Sequence, residues 1–224
     1  MSRPKAVLFD AGGTLVTMDP QLFGDVVEPI VGERPEPVHM LEAHYQAMAA
    51  IGENLQLLEE GPAVWWPWWL SQFMQLSGVT PHPDAVAQLA NGHGLWRLAL
   101  PGAHAGVAAV VAAGFQVAVV SNADGHVKDD LGAAGFGDLF EVIIDSTVVG
   151  VSKPDPAIFE YALAALGVEA SEAWYVGDSP LFDLGGAEAA GLSEFVLVDP
   201  FDLHASYAPR VKGLTELVGL LSGG

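Results

Sequence analysis

Lys5-Ala6-Val7-Leu8-Phe9-Asp10-Ala11-Gly12-Gly13-Thr14 is the stretch on which the fold turns. A short apolar run without polar alternation reads as a strand buried on both faces, and Asp10 with the glycine pair reads as the tight turn that ends it. Four more apolar runs end in the same manner. Phe115 to Val120 leads into Ser121-Asn122-Ala123-Asp124-Gly125, and Phe140 to Ile144 ends at Asp145. Ala173 to Val176 leads into Gly177-Asp178-Ser179-Pro180, and Glu194 to Val198 into Asp199-Pro200. Between them lie Ala- and Leu-rich segments, roughly 103–113, 126–134, 156–166 and 181–190. These are followed by Gly114, Gly135, Gly167 and Gly191, the usual signal of a helix C-terminus. Apolar strands alternating with helices predict a doubly wound parallel sheet covered on both faces, a Rossmann-like α/β core.

Residues 17–98 break the alternation. They hold helical patterns, among them Val38 to Ile51 and Pro83 to Ala90, and no convincing strand. So long a connection between two strands must fold by itself. The predicted organisation is a core of 1–16 with 99–224 and an inserted helical domain at 17–98. Within the insert, Trp65, Trp66, Trp68 and Trp69 crowd together, with Pro67 expected near a helix start. Trp65, Trp69 and Phe73 share one helical face, better explained as packing than as a substrate wall. Arg34 and Arg97 are the cationic candidates in this segment for a second anionic group.

Composition narrows the function classes. The chain has 224 residues, 51% of them hydrophobic, which excludes a mainly disordered protein. Eight basic residues against 28 acidic ones give a formal charge of −20, a field that repels nucleic acid and anionic membranes. There is no cysteine, so thiol and disulfide chemistry are excluded and a reducing cytoplasm is the expected location. The first apolar run is too short for a signal peptide, and no stretch is long enough for a spanning helix. The seven histidines show no zinc-ligand spacing, and Gly12-Gly13 is neither a dinucleotide fingerprint nor a P-loop. Oligomeric state is left open.

Asp10, Ser121, Lys153 and Asp178 fall at or just beyond the carboxyl ends of apolar runs, the edge where open α/β sheets bind ligands. Turn preference explains any one of them, but not a hydroxyl, an ammonium and two carboxylates together. Leu8-Phe9-Asp10-Ala11-Gly12-Gly13-Thr14-Leu15 resembles the first motif of the haloacid dehalogenase superfamily, and Val119-Val120-Ser121-Asn122 the second. Lys153-Pro154-Asp155-Pro156 with Ile158-Phe159 resembles the third, and Val176-Gly177-Asp178-Ser179 with Asp183 the fourth. The insert lies where that family places its helical cap.

The resemblance implies a Mg²⁺-dependent hydrolase acting on a small phosphorylated substrate. Asp10 would be the nucleophile, forming an aspartyl phosphate. Asp10, Asp178 and the backbone carbonyl of Gly12 would hold Mg²⁺. Ser121, Lys153 and the backbone N–H of Asn122 would bind the phosphoryl group. Thr14 would support the nucleophile loop, and Asp183 would orient metal-bound water or Lys153.

One position departs from the family's phosphatases. Two residues after the nucleophile they carry a second aspartate that protonates the leaving oxygen and then activates water. Here that residue is Gly12, and losing a positioned general acid costs on the order of 10²–10⁴ in rate. His126, Asp19, His39 and His44 are possible substitute donors, none singled out by spacing. Dehalogenation needs no leaving-group proton, but the family's dehalogenases usually replace the Gly-Asp kept here at 177–178. Phosphonate cleavage needs a cap lysine, and Lys5, Lys128, Lys153 and Lys212 all lie outside 17–98. A phosphate- or metabolite-binding protein with little turnover is the non-enzyme alternative.

Overall fold

The computed structural model describes residues 3–54 and 56–222, so the expected core ends at 1 and 224 lie outside the described residues. The chain divides into two compact units, Met1–Thr17 with Trp96–Gly224, and Met18–Leu95.

The first unit is built on a six-stranded sheet of β1 (Ala6–Phe9), β4 (Gln116–Ser121), β5 (Val142–Asp145), β6 (Ala173–Gly177), β7 (Glu194–Val198) and β8 (Arg210–Val211). β2 (Val16–Thr17) and β3 (Leu98–Ala99) form a separate ribbon. The order across the sheet is β5-β4-β1-β6-β7-β8, with every pairing parallel. The predicted strands are all present, shifted at their ends by at most a few residues.

Helices Ala103–Ala112, Val127–Ala133 and Ala157–Leu166 follow the prediction, and the glycines after the helical segments, 114, 135, 167 and 191, adopt φ between 67° and 88°. The expected helix at 181–190 is instead a wide π-helical turn, Pro180–Leu184, continued by Gly185–Ala189. On one face of the sheet Leu8, Val120, Tyr175 and Leu197 pack with Ile158, Phe159 and Ala162 of the 157–166 helix. Apolar faces on both sides of the strands are what make these runs continuous rather than alternating.

The boundary of the insert differs from the predicted 17–98 for a specific reason. Val16 pairs with Ala99 and Thr17 with Leu98 in an antiparallel ribbon, so both ends of the excursion are tied to the core unit. Two-residue strands have no periodicity to read, and Arg97 consequently belongs to the core unit rather than to the insert.

The second unit is helical, with Pro20–Val31, Pro37–Gly52, Gln56–Glu59, Pro62–Leu76 and Pro83–Ala90. Pro62, not Pro67, opens the tryptophan-bearing helix, and Pro67 lies inside it. The carbonyl that Pro67 leaves without its usual partner belongs to exposed Ala63 in the first turn, where water can satisfy it. Trp69 and Phe73 are fully buried and stacked on each other, with Phe23 edge-on to Phe73 and His44 edge-on to Trp69. That half of the aromatic cluster is core of this unit, while Trp65, Trp66 and Trp68 are half-buried. Arg34 pairs with Asp25 and Glu28 of its own unit. No helix among the described residues is long and apolar enough to cross a membrane.

Candidate active site

β1 is flanked by β4 and β6, so the residues just beyond three neighbouring strands share one edge. Phe9 is level with Val119 and Val176, and the Asp10 amide donates to the Val176 carbonyl at 2.9 Å. That register brings Asp10 beside the ends of β4 and β6, which close with Ser121 and Gly177 and lead directly into Asn122 and Asp178. The chain turns sharply after Asp10. The amides of Thr14, Leu15 and Val16 all donate to the Ala11 carbonyl, and Gly13 adopts φ 72°. The bridge between Gly12 and Val16 uses the Ala11 carbonyl and the Gly13 amide, leaving the Gly12 carbonyl out of it.

Lys153 is the hub. Its ammonium, almost wholly withdrawn from solvent, donates to Asp10 Oδ1 at 2.7 Å, Asp183 Oδ1 at 2.7 Å and the Tyr175 hydroxyl at 2.8 Å. The Tyr175 hydroxyl in turn donates to the Val120 carbonyl at 2.7 Å, which fixes its orientation. The other oxygen of Asp183 accepts from the Ser179 amide at 2.9 Å. Asp183 also explains Gly177: a Cβ there would lie 2.3 Å from Asp183 Oδ2 and 2.5 Å from its Cγ. The Lys153 backbone is clamped by the Asn122 side chain, whose amide nitrogen donates to the Lys153 carbonyl at 2.9 Å while its oxygen accepts from the Lys153 amide at 2.7 Å. The Asn122 side chain therefore positions the lysine, a different task from phosphate binding.

The electrostatics are those of a dry, acid-rich pocket. Burial pushes the Asp10 carboxyl above its ordinary range, Lys153 pulls it back in part, and Asp178 pushes it up again. Burial likewise raises Asp183, to about 7, against the pull of Lys153. For Lys153 burial acts downward, but Asp10 and Asp183 outweigh it and the ammonium is held charged. Tyr175 is kept protonated by burial and by Asp183 and Asp10 nearby.

Asp10, Asp178 and Asp183 each offer a carboxylate oxygen, all within 4.8 Å of one another. Three buried carboxylates against one ammonium leave the pocket short of positive charge, and an all-oxygen donor set suits a hard divalent cation. The residues therefore fit a metal. Both oxygens of Asp183 have partners in Lys153 and Ser179.

Among the other expected residues, Ser121 and Thr14 are buried. The Thr14 hydroxyl lies in the turn after Asp10 without a hydrogen-bond partner. Asp19 caps the 20–31 helix, accepting from the Gln21 amide, and His44 sits in the aromatic core of the insert. His126 precedes the 127–133 helix, near Asp129. Two residues escaped the sequence analysis. Tyr175 had a usable signal, since a phenol inside a fully buried strand needs a partner for its hydroxyl. Trp96 had none, because only the fold brings its ring close to the place a side chain at Gly12 would take, far away in the sequence.

Comparisons with known proteins bear on the family and the fold. The family model for haloacid dehalogenase-like hydrolases matches residues 4–191. Haloacid dehalogenase-like hydrolase domain-containing protein 3 of Mus musculus is 34% identical over 146 residues, 62% of this chain and 58% of that protein. The chain thus spans under two thirds of that relative's length. The phosphoglycolate phosphatase of Rhodospirillum rubrum is 30% identical over 206 residues, 87% of this chain and 79% of the relative. Phosphoserine phosphatase of Thermus thermophilus is 38% identical over 122 residues, 52% of this chain and 49% of that one. Among solved structures, a phosphatase from Thermococcus onnurineus superposes with a TM-score of 0.63 at 26% identity, covering 98% of both chains. The L-2-haloacid dehalogenase of Xanthobacter autotrophicus reaches 0.65 at 24% identity, covering 98% of this chain and 99% of the other.

Proposed function

Because this chain belongs to the haloacid dehalogenase-like hydrolases, it is a hydrolase, and we propose that it cleaves small phosphomonoesters through an aspartyl phosphate at Asp10. The observation that carries the reading is the buried Lys153 ammonium held between Asp10 and Asp183 beside Asp178. Two relatives that carry phosphatase names support it.

In this reading Lys153 orients the Asp10 carboxylate by its Oδ1 and leaves the other oxygen to attack phosphorus. As the new P–O bond forms, the bond to the leaving oxygen breaks, and the Lys153 charge stabilises the negative charge developing on the transferring group. Ser121 offers a hydroxyl donor to the phosphoryl oxygens. Asp183 and Tyr175 hold the ammonium in place, and the Asn122 side chain holds the backbone that carries it. Mg²⁺ held by Asp10, Asp178 and the Gly12 carbonyl would neutralise phosphoryl charge that otherwise repels the nucleophile. Gly12 supplies no proton to the leaving group and no base for the water that must hydrolyse the phosphoenzyme. Good leaving groups are therefore favoured, and the second step is slow. The net charge of −20 argues against nucleic-acid substrates, and the lack of cysteine suits a reducing compartment such as the cytoplasm.

The test is phosphate release from an aryl phosphate with and without Mg²⁺, in the wild type and in Asp10→Asn. Metal-dependent turnover lost in the variant is expected. Dehalogenation is a second reading favoured by Gly12 alone, because a halide departs without a proton. Halide release without metal, and no phosphate release, would decide for it.

A further inference from the structure

We propose that Trp96 forms a wall for the leaving group beside the nucleophile loop, that Gly12 is present to admit it, and that the substrates are phosphomonoesters whose leaving group offers a flat apolar face. The inference rests on the phosphatase reading above.

Gly12 is not a glycine for conformational reasons. Gly13 has φ 72°, whereas Gly12 is not among the glycines with positive φ, so its backbone would accept a side chain. The space is tight, and it is the indole of Trp96 that makes it so. A Cβ at Gly12 would lie 3.2 Å from Cζ3, 3.3 Å from Cε3 and 3.6 Å from Cη2 of Trp96. The six-membered ring of the indole thus lies closely against the place where a side chain at residue 12 would begin, two residues beyond Asp10. Its position is set locally: Trp96 enters β3, whose Leu98 and Ala99 pair with Thr17 and Val16 at the end of the same loop, all within one compact unit. Trp96 is half-buried rather than part of the core.

Two properties of the site then select the same chemistry. Without an acid at residue 12, the leaving oxygen must depart as an anion, which aryl and other conjugated oxyanions do far more readily than alkoxides. In place of the acid stands an aromatic ring, which favours a planar apolar group by contact and stacking. An alkyl phosphate with a polar chain gains from neither.

The experiment is calorimetric titration, with Mg²⁺ present, of wild type, Trp96→Phe and Trp96→Leu with phenylphosphonate, methylphosphonate and inorganic phosphate, none of which needs turnover. Wild type is expected to prefer phenyl- to methylphosphonate. Trp96→Leu should reduce that preference by about 2- to 12-fold, the range an aromatic pair contributes. Trp96→Phe should retain most of it, and phosphate should bind all three alike. An unchanged preference in Trp96→Leu overturns the inference and leaves the phosphatase reading standing; failure of every anion to bind the wild type overturns both. A second arm compares Gly12→Asp with Gly12→Asp/Trp96→Ala on an alkyl phosphate. The single variant should gain less, because the new side chain is crowded by the indole. The double variant should gain up to about 10²-fold as the carboxyl finds room. Equal gains in both would mean that the ring does not occupy the place of the acid, and the inference would fail.

Discussion

Replacing Lys153 by methionine keeps the length and apolar stem of the side chain and deletes its charge. The ammonium holds Asp10 and Asp183 at 2.7 Å each and is nearly inaccessible to solvent. Removing one partner of a buried ion pair costs about 3–5 kcal/mol when the remaining charge stays ionised. Against a total stability of about 5–15 kcal/mol, that is a large fraction. The loss must depend on pH. Burial raises the folded-state pKa of both carboxyls above the unfolded value, Asp183 to about 7. A raised carboxyl binds protons more tightly in the folded state. Its contribution to stability is fully present below about pH 4 and is lost as pH rises through the folded pKa. Lys153 counteracts this by pulling both values down, so without it the carboxyls cost more, and the difference between variant and wild type grows with pH. Urea unfolding of both proteins at pH 5 and pH 8, with chelator present to exclude metal, measures it. The expected loss is about 3–5 kcal/mol at pH 8 and clearly smaller at pH 5. Equal losses at the two values, or a larger loss at pH 5, would refute the electrostatic argument.

Gly177→Ala should lower the melting temperature by the equivalent of about 1–3 kcal/mol, because Asp183 is held on both oxygens and cannot retreat from the new methyl. Asn122→Ala strips two hydrogen bonds from the Lys153 backbone and should cost about 1–3 kcal/mol in thermal unfolding, with a fall in turnover. Asp130→Asn should stabilise the fold at neutral pH. Burial, with Asp124 nearby, raises that carboxyl to about 6, so its charge opposes folding increasingly as pH rises from about 4 to 6. After allowance for solvent screening the gain is on the order of 1 kcal/mol at pH 8, and it should vanish near pH 4 in matched melting curves.

The strands and their glycine-terminated helices were legible because burial on both faces writes a continuous apolar run, and a left-handed helix end favours glycine. The candidate groups were legible because a parallel sheet collects strand C-termini at one edge, which is where Asp10, Ser121 and Asp178 lie. What escaped was set by contacts distant in sequence. Val16–Thr17 and Leu98–Ala99 are too short for a pattern, yet their pairing moves the domain boundary and carries Trp96 to Gly12. The composition of residues 62–76 does not reveal that the helix starts at Pro62 and accommodates Pro67. The Asn122 side chain had been left without a task, since its partner is the backbone of Lys153, 31 positions away.

The most direct measurement is mass spectrometry of the protein quenched during turnover of an aryl phosphate with Mg²⁺. Gly12 offers no base to hydrolyse the intermediate, so a phosphoryl group should accumulate, map to Asp10 and be absent from Asp10→Asn. Turnover with no covalent phosphoryl group at any time, or with the group on another residue, would contradict the assignment of Asp10 as the nucleophile.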